Sequence, residues 1–218
     1  MSSDFSSSQK FPFLIPAIIP LFPLPNVVLF PYTYLPLHVF ESRYCEMVHD
    51  VLSRGQCVGM ALLKEGWEDH YDESPQIFDR GTVGRMVSAK KLSDGRYNII
   101  LQGFNRCHYE EQEVSTSYRQ AKISLLPEDN AKTLDPVLLG HLAHAAKEYL
   151  ISQRADDQYQ LIAAGKISDL VLVNSLSAGL DFSHNERQFL LESKTLAQQA
   201  GRLVDLMRLK LPMPYSST

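Results

Sequence analysis

Cysteine is scarce in this 218-residue chain. Cys45, Cys57 and Cys107 are the only three, an odd count at irregular spacing with no CxxC pair. That excludes a disulfide framework and points to reduced, partly buried thiols in a reducing compartment. Basic charge is not in excess either. The chain carries 21 Lys and Arg against 25 Asp and Glu, for a formal net charge of −4, which argues against a dedicated nucleic-acid binder. No unbroken apolar run approaches the ~18 residues of a membrane-spanning helix. The nearest is Phe11 to Pro31, and prolines interrupt it. Pro12, Pro16, Pro20, Pro23, Pro25, Pro31 and Pro36 are seven of the chain's twelve. Each removes a backbone donor, so this stretch reads as extended chain with one or two short strands, neither a signal peptide nor a membrane span. Cytoplasm is the expected location.

Catalytic signatures are missing as well. The Gly165-Lys166 pair is followed by Ile167, and Gln160 stands where a phosphate-binding loop needs its first glycine. There is no GxSxG elbow, and the adjacent Ser193 and Lys194 diverge by about 100° on a helix. His141, His144 and Glu148 have the spacing to share a helix face, but HExxH is absent, and the pair reads as surface or core histidines. No catalytic residue, cofactor or metal is expected.

What is present suits a folded globular protein. The hydrophobic content is 44%, and a chain of this length can bury about 70% of its unfolded surface without disulfide or metal staples. Residues 1–10 read as a disordered, serine-rich leader. From about residue 11 to 127 the pattern is mainly strands, with one inserted helix. Val27 to Phe30 is a short apolar run consistent with a buried strand. Glu41 to Arg54 is a helix whose stripe comprises Phe40, Tyr44, Met47, Val48, Val51 and Leu52, stopped by Gly55. Cys57 to Leu63, Thr82 to Ala89, Arg96 to Leu101, His108 to Glu113 and Ala121 to Leu125 read as further strands, with Ser93-Asp94-Gly95 as a turn. After a polar boundary at Pro127 to Pro136 the periodicity turns helical. Asp135 with Pro136, Ser168, and Ser183 with Glu186 are helix-start signals, and residues 128–218 read as a bundle of about four helices. The fold class is therefore α+β: a small β-barrel with one inserted helix, followed by a C-terminal helical bundle.

Four segments in order carry a resemblance. They are Leu21 to Pro31 (LFPLPNVVLFP), Leu35 to Tyr44 (LPLHVFESRY), Gly81 to Met86 (GTVGRM) and Asp94 to Arg106 (DGRYNIILQGFNR). Together with the helical Arg187 to Glu192 they make the chain resemble the N-terminal domain of the Lon protease family over roughly residues 18 to 211. The resemblance implies a PUA-like barrel packed on a helical bundle, similar to stand-alone bacterial relatives of a domain that helps Lon recognise substrate polypeptide. The segments also read physically. The prolines pre-order edge strands, Gly81, Gly84 and Gly103 suit tight turns or close strand crossings, and Glu41 and Arg43 can form a polar contact at the helix start.

Two patches bear on function. The loop Glu65 to Glu73 holds five acids with Trp67, His70 and Tyr71. It reads as a solvated loop with Trp67 folded back, or as a recognition loop. Asp79 to Arg106 holds six basic residues, Arg85 among them, which strand alternation would scatter over two faces. His38 reads as a core or rim histidine. The expected function is a non-enzymatic recognition module binding a polypeptide segment or protein partner in the groove between barrel and bundle or by strand addition. RNA binding by a PUA-like module is the alternative reading. Trp67, His70, Tyr71, His38 and Arg85 are the candidate partner-binding residues.

Overall fold

The computed structural model describes residues 15–55, 57–70, 74–127, 133–153 and 167–211, without the side chains of Arg54 and His70. The strands are β1 (Ile18–Leu24), β2 (Tyr34–Val39), β3 (Cys57–Leu62), β4 (Arg80–Lys91), β5 (Tyr97–Gln112) and β6 (Gln120–Leu125). The helices are α1 (Ser42–Arg54), α2 (Pro136–Ser152), α3 (Asp169–Gly179), α4 (His184–Leu191) and α5 (Leu196–Leu209). The strands form one mixed sheet in the order β2-β5-β4-β3-β1-β6, in which β5 also pairs with β6. Among the described strands only β1 and β3 pair in parallel. The architecture is α+β, a mixed sheet with five helices among the described residues.

Strand β5 organises the sheet. Its first half, Tyr97 to Gln102, pairs with β2, and its second half, Cys107 to Gln112, pairs with β6. Along its length it faces β4, with register shifts between Val83 and Gly84 and between Met86 and Ser88. The two segments expected as separate strands, Arg96 to Leu101 and His108 to Glu113, are thus one continuous strand. Of the two roles expected for Gly103, a tight turn or a close crossing, the structure shows the second, because backbone passes close by. A Cβ on it would lie 2.0 Å from the Phe30 carbonyl oxygen. Gly81 serves the same purpose. A Cβ there would lie 2.2 Å from the Met60 carbonyl oxygen, and the Tyr109 ring already fills the space above it. The Tyr109 hydroxyl donates to the carbonyls of Met60 and Thr82 at 2.9 and 3.2 Å.

Three apolar clusters form the interior. One lies between α1 and the sheet, around Met47, Val48, Met86 and Leu101. A second surrounds Ile19, Leu21, Val83 and Cys107. The third lies among α2, α3, α4 and α5, around Leu142, Tyr149, Val173, Leu190 and Leu203, and takes in Phe30. Val27 to Phe30, expected as a strand, forms none. Leu29 and Phe30 are buried all the same, Leu29 in the α1 cluster and Phe30 in the helical one. The run is apolar because its side chains are divided between two cores, and not because its backbone pairs.

The helix starts follow local chemistry. The Asp135 side chain accepts from the N–H groups of Val137 and Leu138, and Ser168 accepts from Val171. Ser183 and Glu186 form a reciprocal capping box. Helix α1 starts after Glu41 and ends at Gly55, whose φ is 135°. Two residues of its expected buried stripe turn outward. Phe40 precedes the helix and is 64% exposed, and Leu52 is 42% exposed. Glu41 and Arg43 form an ion pair at 2.9 Å. Polar groups join sheet and helices. Arg106 donates to the Ser193 carbonyl at 2.8 Å and to Gln199 Oε1, and Gln188 donates to the Arg80 carbonyl at 3.0 Å.

Candidate functional site

The register of β2, β5 and β4 aligns residues in three rows across the sheet. The rows are Tyr34–Gln102–Arg85, Pro36–Ile100–Ser88 and His38–Asn98–Lys90. Residues directly opposite one another share a face, and eight of these nine are exposed while Gln102 is half-buried. Alternation then puts Leu35, Leu37, Leu101 and Met86 on the opposite, inward face, where they pack in the α1 cluster. Four residue steps along the strands and three strands across make a platform of roughly 13 by 10 Å. Tyr34, Phe40, Val87, Ile100 and Phe104 are the large exposed apolar groups on or beside it.

Polar side chains hold the platform's lower row. The guanidinium of Arg96 can only donate, so at 3.3 Å it makes His38 Nε2 an acceptor. The ring hydrogen is then on Nδ1, which donates to Asn98 Oδ1 at 2.7 Å. Arg96 is itself held by Asp94, through an ion pair of 2.5 Å and a bond from Nε at 2.7 Å. Those hydrogen bonds hold the Asp94 carboxyl below the usual carboxylate range and push the Arg96 guanidinium up. Asp94 occupies the β4–β5 turn, where Gly95 takes a φ of 90°. The Phe40 ring stacks beside His38, with centroids 6.3 Å apart. In the upper row Gln102 donates to the Tyr34 hydroxyl at 3.1 Å.

Strand β2 is an edge. Among the described strands it pairs with β5 alone. The Gly103 N–H donates to the Thr33 carbonyl at 2.9 Å, so the odd positions of β2 bond toward β5 and the even positions turn their backbone outward. Pro36 falls on the outward set, where its missing N–H breaks no ladder bond. Tyr34 and His38 keep theirs.

Two of the five expected residues, His38 and Arg85, therefore lie on this one face, at opposite corners of the platform. Trp67 does not join them. It is half-buried and packs against the cluster around Ile19, Leu21 and Ile77. His70 closes a short 3₁₀ turn, Glu68–His70, in the same loop. Tyr71 lies outside the described residues. The loop also reaches the helices, for Asn185 donates to Glu65 at 2.8 Å. His144, read as a surface or core histidine, is exposed beside Glu148 at 3.4 Å. The basic residues of Asp79 to Arg106 divide by task. Arg80 and Arg106 bond carbonyls in the helical layer, whereas Arg85 and Lys90 stand on the platform. Tyr34, Phe40, Asn98 and Ile100 were not singled out in the sequence. The alternation Tyr34, Pro36, His38, Phe40 was visible there, but Phe40 had been assigned to the helix.

Residues 18–208 match the family model for the ATP-dependent protease La (LON) substrate-binding domain. The chain belongs to this family. Lon protease from Cytophaga hutchinsonii is 29% identical over 196 residues, covering 88% of this chain and 24% of that protein. Lon protease from Flavobacterium johnsoniae is 26% identical over 202 residues, covering 90% and 24%. The chain thus spans about a quarter of the length of the curated relatives it matches. Among solved structures, the N-terminal domain of Mycobacterium avium complex Lon protease aligns with a TM-score of 0.69 at 11% identity, covering 89% of this chain and 100% of that one. A Lon N-terminal domain protein from Xanthomonas campestris aligns with a TM-score of 0.63 at 23% identity, covering 89% and 99%. At these identities the likeness concerns the fold. The matched region is the Lon substrate-binding domain, which is distinct from the protease and ATPase domains, and among the described residues no helix is long and apolar enough to cross a membrane.

Proposed function

We propose that this Lon substrate-binding domain is a non-catalytic recognition module, with a PUA-like barrel over residues 11–127 and a helical bundle over 128–218. It binds extended polypeptide segments by strand addition at β2. One observation carries the reading: an edge strand that exposes Tyr34 and Pro36 beside Ile100 and whose outward backbone at Tyr34 and His38 pairs with no described strand. An extended peptide there gains main-chain hydrogen bonds from the edge and side-chain contacts from the platform, which is the β-augmentation mode. Apolar side chains of the peptide would cover Tyr34 and Ile100. Arg85 and Lys90 at the far side would favour neutral or acidic segments over basic ones.

The test is an amide NMR titration of the labelled chain with a 12-residue unstructured peptide of alternating Phe and Thr. The expected result is saturable shifts confined to Tyr34–Val39 and Tyr97–Gln102. No saturable shift up to millimolar peptide would overturn the reading. So would a single-stranded RNA that shifts the same amides more strongly and loses the effect steeply with salt, the mark of phosphate contacts.

A further inference from the structure

A second site lies in the seam between the sheet and the helices. The cleft is small, with a volume of about 50 Å³. Arg106 from β5, Asn174 from α3, and Lys194 and Thr195 at the start of α5 line it, with Leu170 and Leu196 as apolar wall. Among the described residues no Asp or Glu lines it.

The orientation of its amides follows from Arg106. A guanidinium only donates, so the group that Arg106 meets on Gln199 is the oxygen, Oε1. The Gln199 nitrogen therefore faces the other way, and it donates to Asn174 Oδ1 at 3.1 Å and to Ser177 Oγ at 3.0 Å. Asn174 has its oxygen engaged and its nitrogen turned away from Gln199. The residue is 0% exposed, and its Nδ2 has no hydrogen-bond partner. A buried donor without an acceptor is rare in native proteins, and this one belongs to a residue that lines a cleft. Lys194 is exposed at the same cleft and forms no ion pair among the described residues. Helix α5 begins at Leu196 behind its N-cap Thr195, adding the positive end of a helix dipole.

We propose that this cleft binds a carboxylate carried by a polypeptide, as an acidic side chain or as a chain terminus. Asn174 Nδ2 donates to it, Lys194 balances its charge, and Leu170 and Leu196 contact its carbon stem. A carboxylate only accepts hydrogen bonds, which suits a donor left without an acceptor. The site is independent of strand addition at β2.

The experiment follows the side-chain NH₂ resonances of Asn174 in the full ¹⁵N-labelled chain. The probes are acetyl-Gly-Glu-Gly-amide, acetyl-Gly-Gly-Gly with a free terminal carboxylate, and acetyl-Gly-Gln-Gly-amide. The expected result is a saturating downfield shift with one or both carboxylate probes and none with the Gln peptide. A response to the Glu peptide alone identifies a side-chain carboxylate, and a response to the free terminus alone identifies a chain end. Asn174→Asp keeps the acceptor for Gln199 and replaces the donor, and should weaken binding by about tenfold or more. Lys194→Gln, at an exposed position that the fold does not need, should weaken it by about two- to fivefold. An Asn174 amide that neither carboxylate moves, an equal response to the Gln peptide, or full affinity in Asn174→Asp would each overturn the proposal.

Discussion

The Phe30 carbonyl oxygen occupies the place where a side chain on Gly103 would begin, 2.0 Å from an ideal Cβ. The contact is backbone against backbone, so no rotamer change relieves it. Gly103→Ala should destabilise the chain by about 2–4 kcal/mol, as overpacking against a fixed neighbour does. Gly140 is the control. It lies within α2 with nothing inside 4 Å of a Cβ, so Gly140→Ala should stabilise by about 0.5–1 kcal/mol. Urea denaturation of both variants checks the contrast. Equal stabilities would mean that the Phe30–Gly103 approach is not a constraint in solution.

Arg106 joins the two layers by donating both to the Ser193 carbonyl and to Gln199. Arg106→Met keeps much of the stem and removes the donors, leaving buried acceptors unpaired. The expected loss is about 1.5–3 kcal/mol. The denaturant slope is the sharper readout, because sheet and helices that lose their coupling unfold over a broader range with a smaller apparent m. A variant with unchanged midpoint and slope would assign the coupling to the apolar contacts of Phe30 instead.

The helical part was legible in the sequence because capping is local. Asp135-Pro136, Ser168 and the Ser183–Glu186 pair each identify a helix start within four residues, and each start is where they put it. The sheet was less legible because pairing is not local. Burial of Val27 to Phe30 could be read, but its division between two cores could not. Nothing near Gly103 signals that β5 runs on through it, since the reason is a carbonyl 73 residues earlier in the chain. The platform has the same character. His38 and Arg85 were chosen separately, and only the register through Gln102 and Asn98 puts them on one face. The orphan donor of Asn174 depends on Arg106 and Gln199, and three such distant positions leave no spacing to find.

The thiols should differ in reactivity. Burial pushes Cys57 up to about 11 and Cys107 up to about 12, while Cys45, half-buried, is raised by burial and then by Asp94. Raised values mean little thiolate at pH 8. Ellman's reagent at pH 8 should label Cys45 slowly and leave Cys57 and Cys107 intact until denaturant is added, when all three react. Fast labelling of Cys107 in the native chain would contradict its burial in the cluster around Ile19, Leu21 and Val83.

Glu186 gives a pH dependence with a definite sign. Burial works to raise its carboxyl, but hydrogen bonds from the Ser183 N–H at 2.6 Å and the Lys210 ammonium at 3.1 Å outweigh that and bring it below the usual range. A folded-state value below the unfolded one stabilises the chain fully above the ordinary Glu value of about 4.3 and is lost as pH falls through the folded value. Carbonyl ¹³C titration should show Glu186 with a midpoint below the ordinary Glu value of about 4.3, and Lys210→Met should move it back up. Ser183→Ala, which removes the other half of the capping box, should cost about 1 kcal/mol at neutral pH. A Glu186 midpoint at the ordinary value, unmoved by Lys210→Met, would dissolve the link between the start of α4 and the end of α5.

Strand addition at β2 makes a prediction that ordinary surface chemistry does not. Even positions of β2 turn their backbone away from β5, as Pro36 demonstrates. His38→Pro should therefore remove one outward donor without breaking the ladder, and should lower affinity for an extended peptide by about fivefold or more. His38→Ala removes the imidazole but keeps that N–H, so it should bind within about twofold of the parent. Leu37→Pro falls on the inward set, opposite Ile99, and should cost the fold itself about 3 kcal/mol or more. Peptide titration with a parallel thermal melt separates the three. If His38→Ala and His38→Pro lose affinity equally, the ring is the contact and the peptide lies on the platform without joining the sheet.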